Sequence, residues 1–114
     1  VTNCPFCPMP PEGNPLGPHC YALEPINPVT LGHIMVIPHR HIPDFATDPA
    51  TTAHAAHAAA LFARQIGGEW NLITSKGRYA TQTVHHLHLH LVPRRQDDGL
   101  TLPWTSQQTN EETP

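Results

Sequence analysis

The amino-acid sequence predicts an α+β domain, a mostly antiparallel sheet with one main helix packed on one face. Three observations carry this. One long Ala-rich segment, "PATTAHAAHAAALFARQI", has no Gly and no Pro after its first residue, and it stands between Asp48 and Gly67-Gly68. Two short runs of strand character precede it and two follow it, so the order is strand, strand, helix, strand, strand. The last run, residues 83–92, alternates leucine with histidine, which leaves one apolar face for the helix to cover.

Residues 1–19 read as an irregular arm rich in Pro and Gly. "HCYALEP" (19–25) is a short strand, stopped by Pro25 and Pro28. "LGHIMVIP" (31–38) is a stronger one, β-branched, with a Gly before it and a Pro at its end. "PHRHIPDFATD" (38–48) is a loop. Asp48 and Pro49 then supply a helix cap and a first-turn residue, and Gly67-Gly68 ends the helix. "EWNLITS" (69–75) is a strand, and Lys76-Gly77 turns the chain into residues 83–92, the longest strand expected. There His85, Leu87, Leu89 and Leu91 share one face, the expected seat for Ala56, Ala60, Ala63 and Ile66 of the helix. Val84, His86, His88, His90 and Val92 share the other. The domain is expected over residues 1–100, and "LTLPWTSQQTNEETP" forms a polar C-terminal tail over 101–114 with an anchor at Trp104.

With 114 residues the chain holds one domain and one modest core. Its net charge of -3 gives no support to binding a nucleic-acid polymer through bulk positive charge. No apolar run approaches the ~18–20 residues needed to cross a bilayer. The N-terminal "VTNCPFCPMPP" lacks the long apolar core of a secretory leader. Three cysteines, two of them as C-x-x-C, make a poor disulfide framework and a good thiol pair for metal or redox work, so a reducing, cytoplasmic compartment is expected.

The row His86, His88, His90 is the feature that asks for chemistry. At strand spacing the rings stand roughly 6–7 Å apart on one face. Two chemistries suit such a row. Imidazoles can converge on a zinc ion that activates water. Alternatively, an unprotonated, oriented imidazole attacks phosphorus while its neighbours donate hydrogen bonds to the phosphoryl oxygens and leaving group.

"QTVHHLHLHLVPR" (82–94) resembles the signature of the histidine triad (HIT) nucleotide-binding proteins. "LGHIMVIPHRHI" (31–42) resembles a second segment of that family, and "NCPFC" (3–7) the Cys-x-x-Cys opening of its zinc-carrying members. Asn71 and Gly77 resemble the family's Asn and Gly before the motif. The likeness runs from Cys4 to about Arg95. It implies a five-stranded antiparallel sheet with helices on one side, paired as a homodimer. It further implies that His88 is a nucleophile that takes the nucleotide from the α-phosphorus, with water or phosphate releasing it. His90 would face the phosphate and leaving group, with His33 beside the triad. Gln82 and Thr83 would hold phosphate oxygens. In the zinc-carrying members the metal set resembles Cys4, Cys7, His41 and His86 here. Two thiolates and two imidazoles make a closed tetrahedral site, so this zinc would be structural, pinning the arm and the backbone beside His88. His39 is an alternative to His41, and His19 with Cys20 a weaker pair.

The chain departs from the family at two places. Pro25 stands where many members carry an Asp or Asn for the ribose, with Glu24 and Asn27 as the candidate substitutes. Ala80-Thr81 stands where Ala-Gly precedes the Gln, so the phosphate-side turn lacks one glycine. Altered nucleotide preference is expected from this rather than loss of the chemistry. His54 and His57 read as an exposed helix face, and Trp70 and Trp104 as core or interface. Arg94 and Arg95 are candidates for polyphosphate or for a solvated strand end, and Lys76 and Arg78 lie in the turn before the triad. The leading expectation is therefore a nucleotide hydrolase or nucleotidyltransferase. The rivals are a zinc metallohydrolase using the His row directly, and a nucleotide-binding protein without turnover.

Overall fold

The structure, a computed structural model, describes residues 3–107; residues 108–114 of the expected tail lie outside them. Five strands form one antiparallel sheet in the order β1-β2-β3-β5-β4: β1 Asn14–Leu16, β2 Cys20–Leu23, β3 Ile34–Pro38, β4 Glu69–Ile73 and β5 Leu89–Arg94. Helix α1, Pro49–Ile66, connects β3 to β4. Its bounds are those its caps dictate. The Asp48 carboxylate accepts from the Ala50 amide at 3.2 Å and the Thr51 hydroxyl at 2.9 Å. Gly67, at φ 78°, closes the helix by donating to Ala63.

Three expectations need correcting. First, the arm is not wholly irregular, because β1 forms a hairpin with β2 across the turn 17–19. Gly13 lets the arm fold back beneath it: a Cβ there would lie 2.5 Å from Met9 Cγ. Second, the helix seats Thr51, Ala55 and Ala59 against the sheet, with Ala56, Ala58 and Phe62 beside them; Ala60 and Ile66 face solvent. The buried stripe is a strict i, i+4 row of small residues, which lets the helix approach closely.

Third, the strand expected over 83–92 begins only at Leu89. Upstream, the chain leaves the ladder. The Leu87 amide donates to Ile42 in the loop after β3 at 2.7 Å, and His86 is drawn wholly into the interior. The alternation of side chains nonetheless continues into β5. Leu89 and Leu91 join Cys20, Val36, Ile42 and Leu87 in the core under α1. His90 points to the opposite face, in register with Met35 and Ile73. On that face the arm covers β2 and β3: Phe6 packs with Tyr21, Met35 and Ile37, and the Tyr21 hydroxyl donates to the Phe6 carbonyl at 2.8 Å.

Candidate active site and metal centre

His86 and His88 face different surroundings, because both lie in the irregular stretch before β5 begins at Leu89. His86 is fully buried, and its Nε2–H donates to the Pro38 carbonyl at 2.8 Å. The lone pair on Nδ1 therefore faces Cys4 Sγ and Cys7 Sγ, each at 3.3 Å, and His41 Nδ1 at 2.9 Å. The Cys7 thiol is 3.5 Å from His41 Nδ1, and all four donor atoms lie within 4.8 Å of one another. A tetrahedron with zinc–nitrogen bonds of ~2.0 Å and zinc–sulfur bonds of ~2.3 Å has edges of roughly 3.3–3.8 Å. The set fits that frame, with the His41–His86 edge somewhat tight. Two sulfurs and two ring nitrogens can hold zinc in a closed site. The Pro38 bond supplies the outer support that fixes a ligating tautomer. Burial, and Cys4 beside it, push the Cys7 thiol up. An ion there would supply the positive charge that two neighbouring thiolates need. His39 lies elsewhere, tilted against Tyr21.

His88 lies just before β5. Its Nδ1 is 2.7 Å from the His86 carbonyl oxygen, which can only accept, so Nδ1 carries a hydrogen and the neutral ring has its lone pair on Nε2. The Thr74 hydroxyl donates to the His88 carbonyl at 2.9 Å and fixes the backbone. The same logic runs through the other pair. The Val29 amide donates to His33 Nδ1 at 3.1 Å, so His33 Nε2–H donates to His90 Nδ1 at 2.9 Å. His90 is thereby left with its hydrogen on Nε2. Burial, then the neighbouring His88 and His33, push His90 down to about 4, so it is neutral and acts as a hydrogen-bond donor. The His88 and His90 rings stand edge to face, 5.2 Å apart.

Both rings line a cavity of about 920 Å³, large enough for a nucleotide. Gln82 and Thr83 line it too, but the Gln82 side chain is engaged in shaping its own loop. Its Oε1 accepts from the Gly77 amide, and its Nε2 donates to the Pro43 and Val84 carbonyls. Glu24 and Pro25 line the cavity, whereas Asn27 is exposed and does not. Asn71 lies away from His88: it pairs in register with Val92, and its Oδ1 accepts from Arg94 at 2.6 Å. Arg94 is also bound bidentately by Asp98, and Arg95 holds Thr30 and Leu31, so both arginines brace loops. Trp70 donates to Gly67 and packs on Phe62, and His54 stacks on His19.

Sequence reasoning overlooked Ser75 and Phe6, which also line the cavity. Phe6, between the two cysteines, lies edge-on to His88 at 5.4 Å and to His86 at 5.7 Å. Ser75 has no local signature; only the register of β4 against β5, with Ile73 opposite His90, shows that the chain reaches the cavity two residues after Ile73 rather than at Asn71.

Residues 17–97 match the sequence model of the HIT domain. The chain belongs to the HIT family. It is 33% identical over 100 residues to adenosine 5'-monophosphoramidase HNT1 of Saccharomyces cerevisiae, a match covering 81% of this chain and 60% of the yeast protein. It is 30% identical over 94 residues to adenylylsulfatase HINT3 of Arabidopsis thaliana, covering 77% and 46% respectively. The chain thus spans roughly half of these relatives' length. A zinc-bound HIT protein from Mycobacterium smegmatis superposes with a TM-score of 0.76 at 33% identity, covering 88% of this chain and 81% of that one. A HIT hydrolase from Clostridium thermocellum gives 0.72 at 28% identity, covering 85% and 95%. The fold is the HIT fold, a five-stranded antiparallel sheet with one main helix.

Proposed function

We propose that this HIT protein is a nucleotide hydrolase or nucleotidyltransferase that cleaves at the α-phosphorus of a nucleoside 5'-phosphate derivative. The reading is supported chiefly by one observation: Nδ1–H of His88 is held by the His86 carbonyl, so in the neutral ring the lone pair is on Nε2, and the ring lines a nucleotide-sized cavity. Nε2 bonds to phosphorus as the bond to the leaving group breaks, and the leaving atom departs with the electron pair. His90 Nε2–H donates to the phosphoryl group throughout. Water then adds to phosphorus, and His88 recovers its lone pair. Relatives named as a phosphoramidase and an adenylylsulfatase support phosphoramidate and mixed phosphoric–sulfuric anhydride bonds as the bonds cut. Zinc on Cys4, Cys7, His41 and His86 would serve structure. The active unit is residues 1–100, acting as a homodimer in the cytoplasm; no helix among the described residues is long and apolar enough to cross a membrane.

A metallohydrolase with zinc on His86, His88 and His90 is disfavoured by the same geometry. His86 Nδ1 faces the cysteines, and His88 Nδ1 faces a carbonyl. The test is direct. Incubation with an AMP ester bearing a good leaving group, followed by a denaturing quench at alkaline pH, where the phosphorus–nitrogen bond survives, and mass spectrometry, should show an AMP adduct on His88. His88→Asn should abolish adduct and turnover. Turnover without any adduct would favour the metallohydrolase, and nucleotide binding with neither would leave a binding protein.

A further inference from the structure

Arg95 is the first residue after β5, and it reaches across to the loop that leads into β3. Its Nη1 donates to the Thr30 hydroxyl at 3.0 Å and its Nη2 to the Leu31 carbonyl at 2.8 Å. The stem of the side chain is anchored. The Arg95 amide donates at 2.9 Å to Asp98, whose carboxylate also takes Arg94 and the Leu100 amide. A planar fork on a fixed stem holds two acceptors in one geometry. Gly32 makes the reach possible. At φ 92° it carries the loop close over Pro93, and a Cβ there would lie 3.2 Å from Pro93 Cγ.

The loop held in this way sets the hydrogens of two histidines. The His33 amide donates to the Thr30 carbonyl at 3.2 Å and closes a four-residue turn. Gly32 is the third residue of that turn, the place where a positive φ is demanded of a type II turn. The Val29 amide lies 3.1 Å from His33 Nδ1. An N–H only donates, so His33 Nδ1 accepts, His33 Nε2–H donates to His90 Nδ1 at 2.9 Å, and the His90 hydrogen stands on Nε2. Without the Val29 amide the bond between the two rings can run either way. Reversed, His90 donates from Nδ1 and carries a lone pair on Nε2, an acceptor where a phosphoryl oxygen needs a donor. Burial pushes both rings down, so they are neutral, and it is the tautomer that has to be fixed.

Resting on the reading of His90 as a donor to the phosphoryl group, we propose that Arg95 is a positioning residue: by clamping Thr30 and Leu31 it keeps the Val29 amide on His33, and so holds His90 as a hydrogen-bond donor. Arg95 does not line the cavity that His88 and His90 share, and it acts only through the turn and His33. The bond from His88 Nδ1–H to the His86 carbonyl lies outside this loop, so His88 keeps its own tautomer when the clamp is lost. A lysine at this position would bring the same charge but no fork, and would reach one of the two acceptors rather than both.

The test reads the ring nitrogens directly. Long-range proton–nitrogen correlation spectra of the nitrogen-labelled full chain, near neutral pH, are expected to show His33 and His90 protonated on Nε2 and bare on Nδ1. In Arg95→Ala both rings are expected to move to a mixture of tautomers, while His88 keeps its hydrogen on Nδ1. Thr30→Val, which removes one of the two acceptors, is expected to give a smaller change of the same kind. With an AMP ester as substrate, Arg95→Ala is expected to lower kcat by about tenfold while KM stays within about threefold. Arg95→Lys is expected to recover part of that loss and not all of it. Ring nitrogens unchanged in both Arg95→Ala and Thr30→Val overturn the positioning role. So does a rise in KM with kcat kept, which would make Arg95 a substrate contact. A wild-type chain that forms no AMP adduct on His88 brings down the underlying reading, and the catalytic role of Arg95 with it, whatever the ring nitrogens show.

Discussion

Thr81 shows how one residue carries information about a whole turn. It sits at φ 70°, in the left-handed region, where the HIT pattern resembles a glycine site, and it lines the cavity beside Gln82 and Thr83. A β-branched residue there costs about 1–2 kcal/mol relative to a permissive backbone, part of which glycine returns through its freer unfolded chain. Thr81→Gly is expected to stabilise the protein by about 1 kcal/mol, a rise in Tm of ~3–6 °C. Thermal denaturation checks this, and an unchanged or lower Tm would mean the turn is not strained. The substitution was legible in the sequence, but its consequence was not, because a φ angle is set by the turn and not by the side chain. Asn71 and Ser75 teach the reverse. Asparagine has the more suggestive chemistry, yet strand register hands the cavity to the serine.

At the scale of elements, helix α1 was legible to the residue because its limits are local: a carboxylate cap, a proline in the first turn and a glycine end. The break before β5 was not legible. The pattern His-Leu-His-Leu-His reads as strand whether or not ladder bonds are made, and what meets residues 83–88 outside the ladder is remote in sequence. Cys4 and Cys7 meet His86 across 82 and 79 positions of sequence. A metal held there would have a role beyond anchoring the arm. The His86 that would bind it also holds the tautomer of His88 through its own carbonyl. Cys4→Ser is expected to lose one zinc per chain and lower the Tm, and to slow adduct formation on His88 by about tenfold or more. Metal analysis, thermal denaturation and timed quenches measure the three. Full retention of metal in this variant would mean the ion sits elsewhere.

For the whole molecule, sheet order decides what remains uncovered. With β5 in the interior of the sheet, β4 is an edge strand, and it displays Leu72 at 48% and Ile73 at 38% exposure, with Ile66 at 61% just before it. The edge has few of the usual protections: Glu69 is its only charged residue, no proline interrupts it, and it pairs along its full length on the other side. An apolar edge of this kind is satisfied by a second copy in antiparallel pairing, which joins two sheets and removes both edges together. The sequence held the apolar residues but not their exposure, because a Leu in "EWNLITS" reads the same in an interior strand as at an edge. Light scattering coupled to size exclusion is therefore expected to give twice the chain mass at tens of micromolar. Leu72→Lys, which places a charge on the edge, is expected to shift the chain to monomer while leaving zinc content unchanged. A wild-type chain that runs as a monomer at that concentration would mean the edge is protected in some other way, and that the catalytic unit is a single HIT domain.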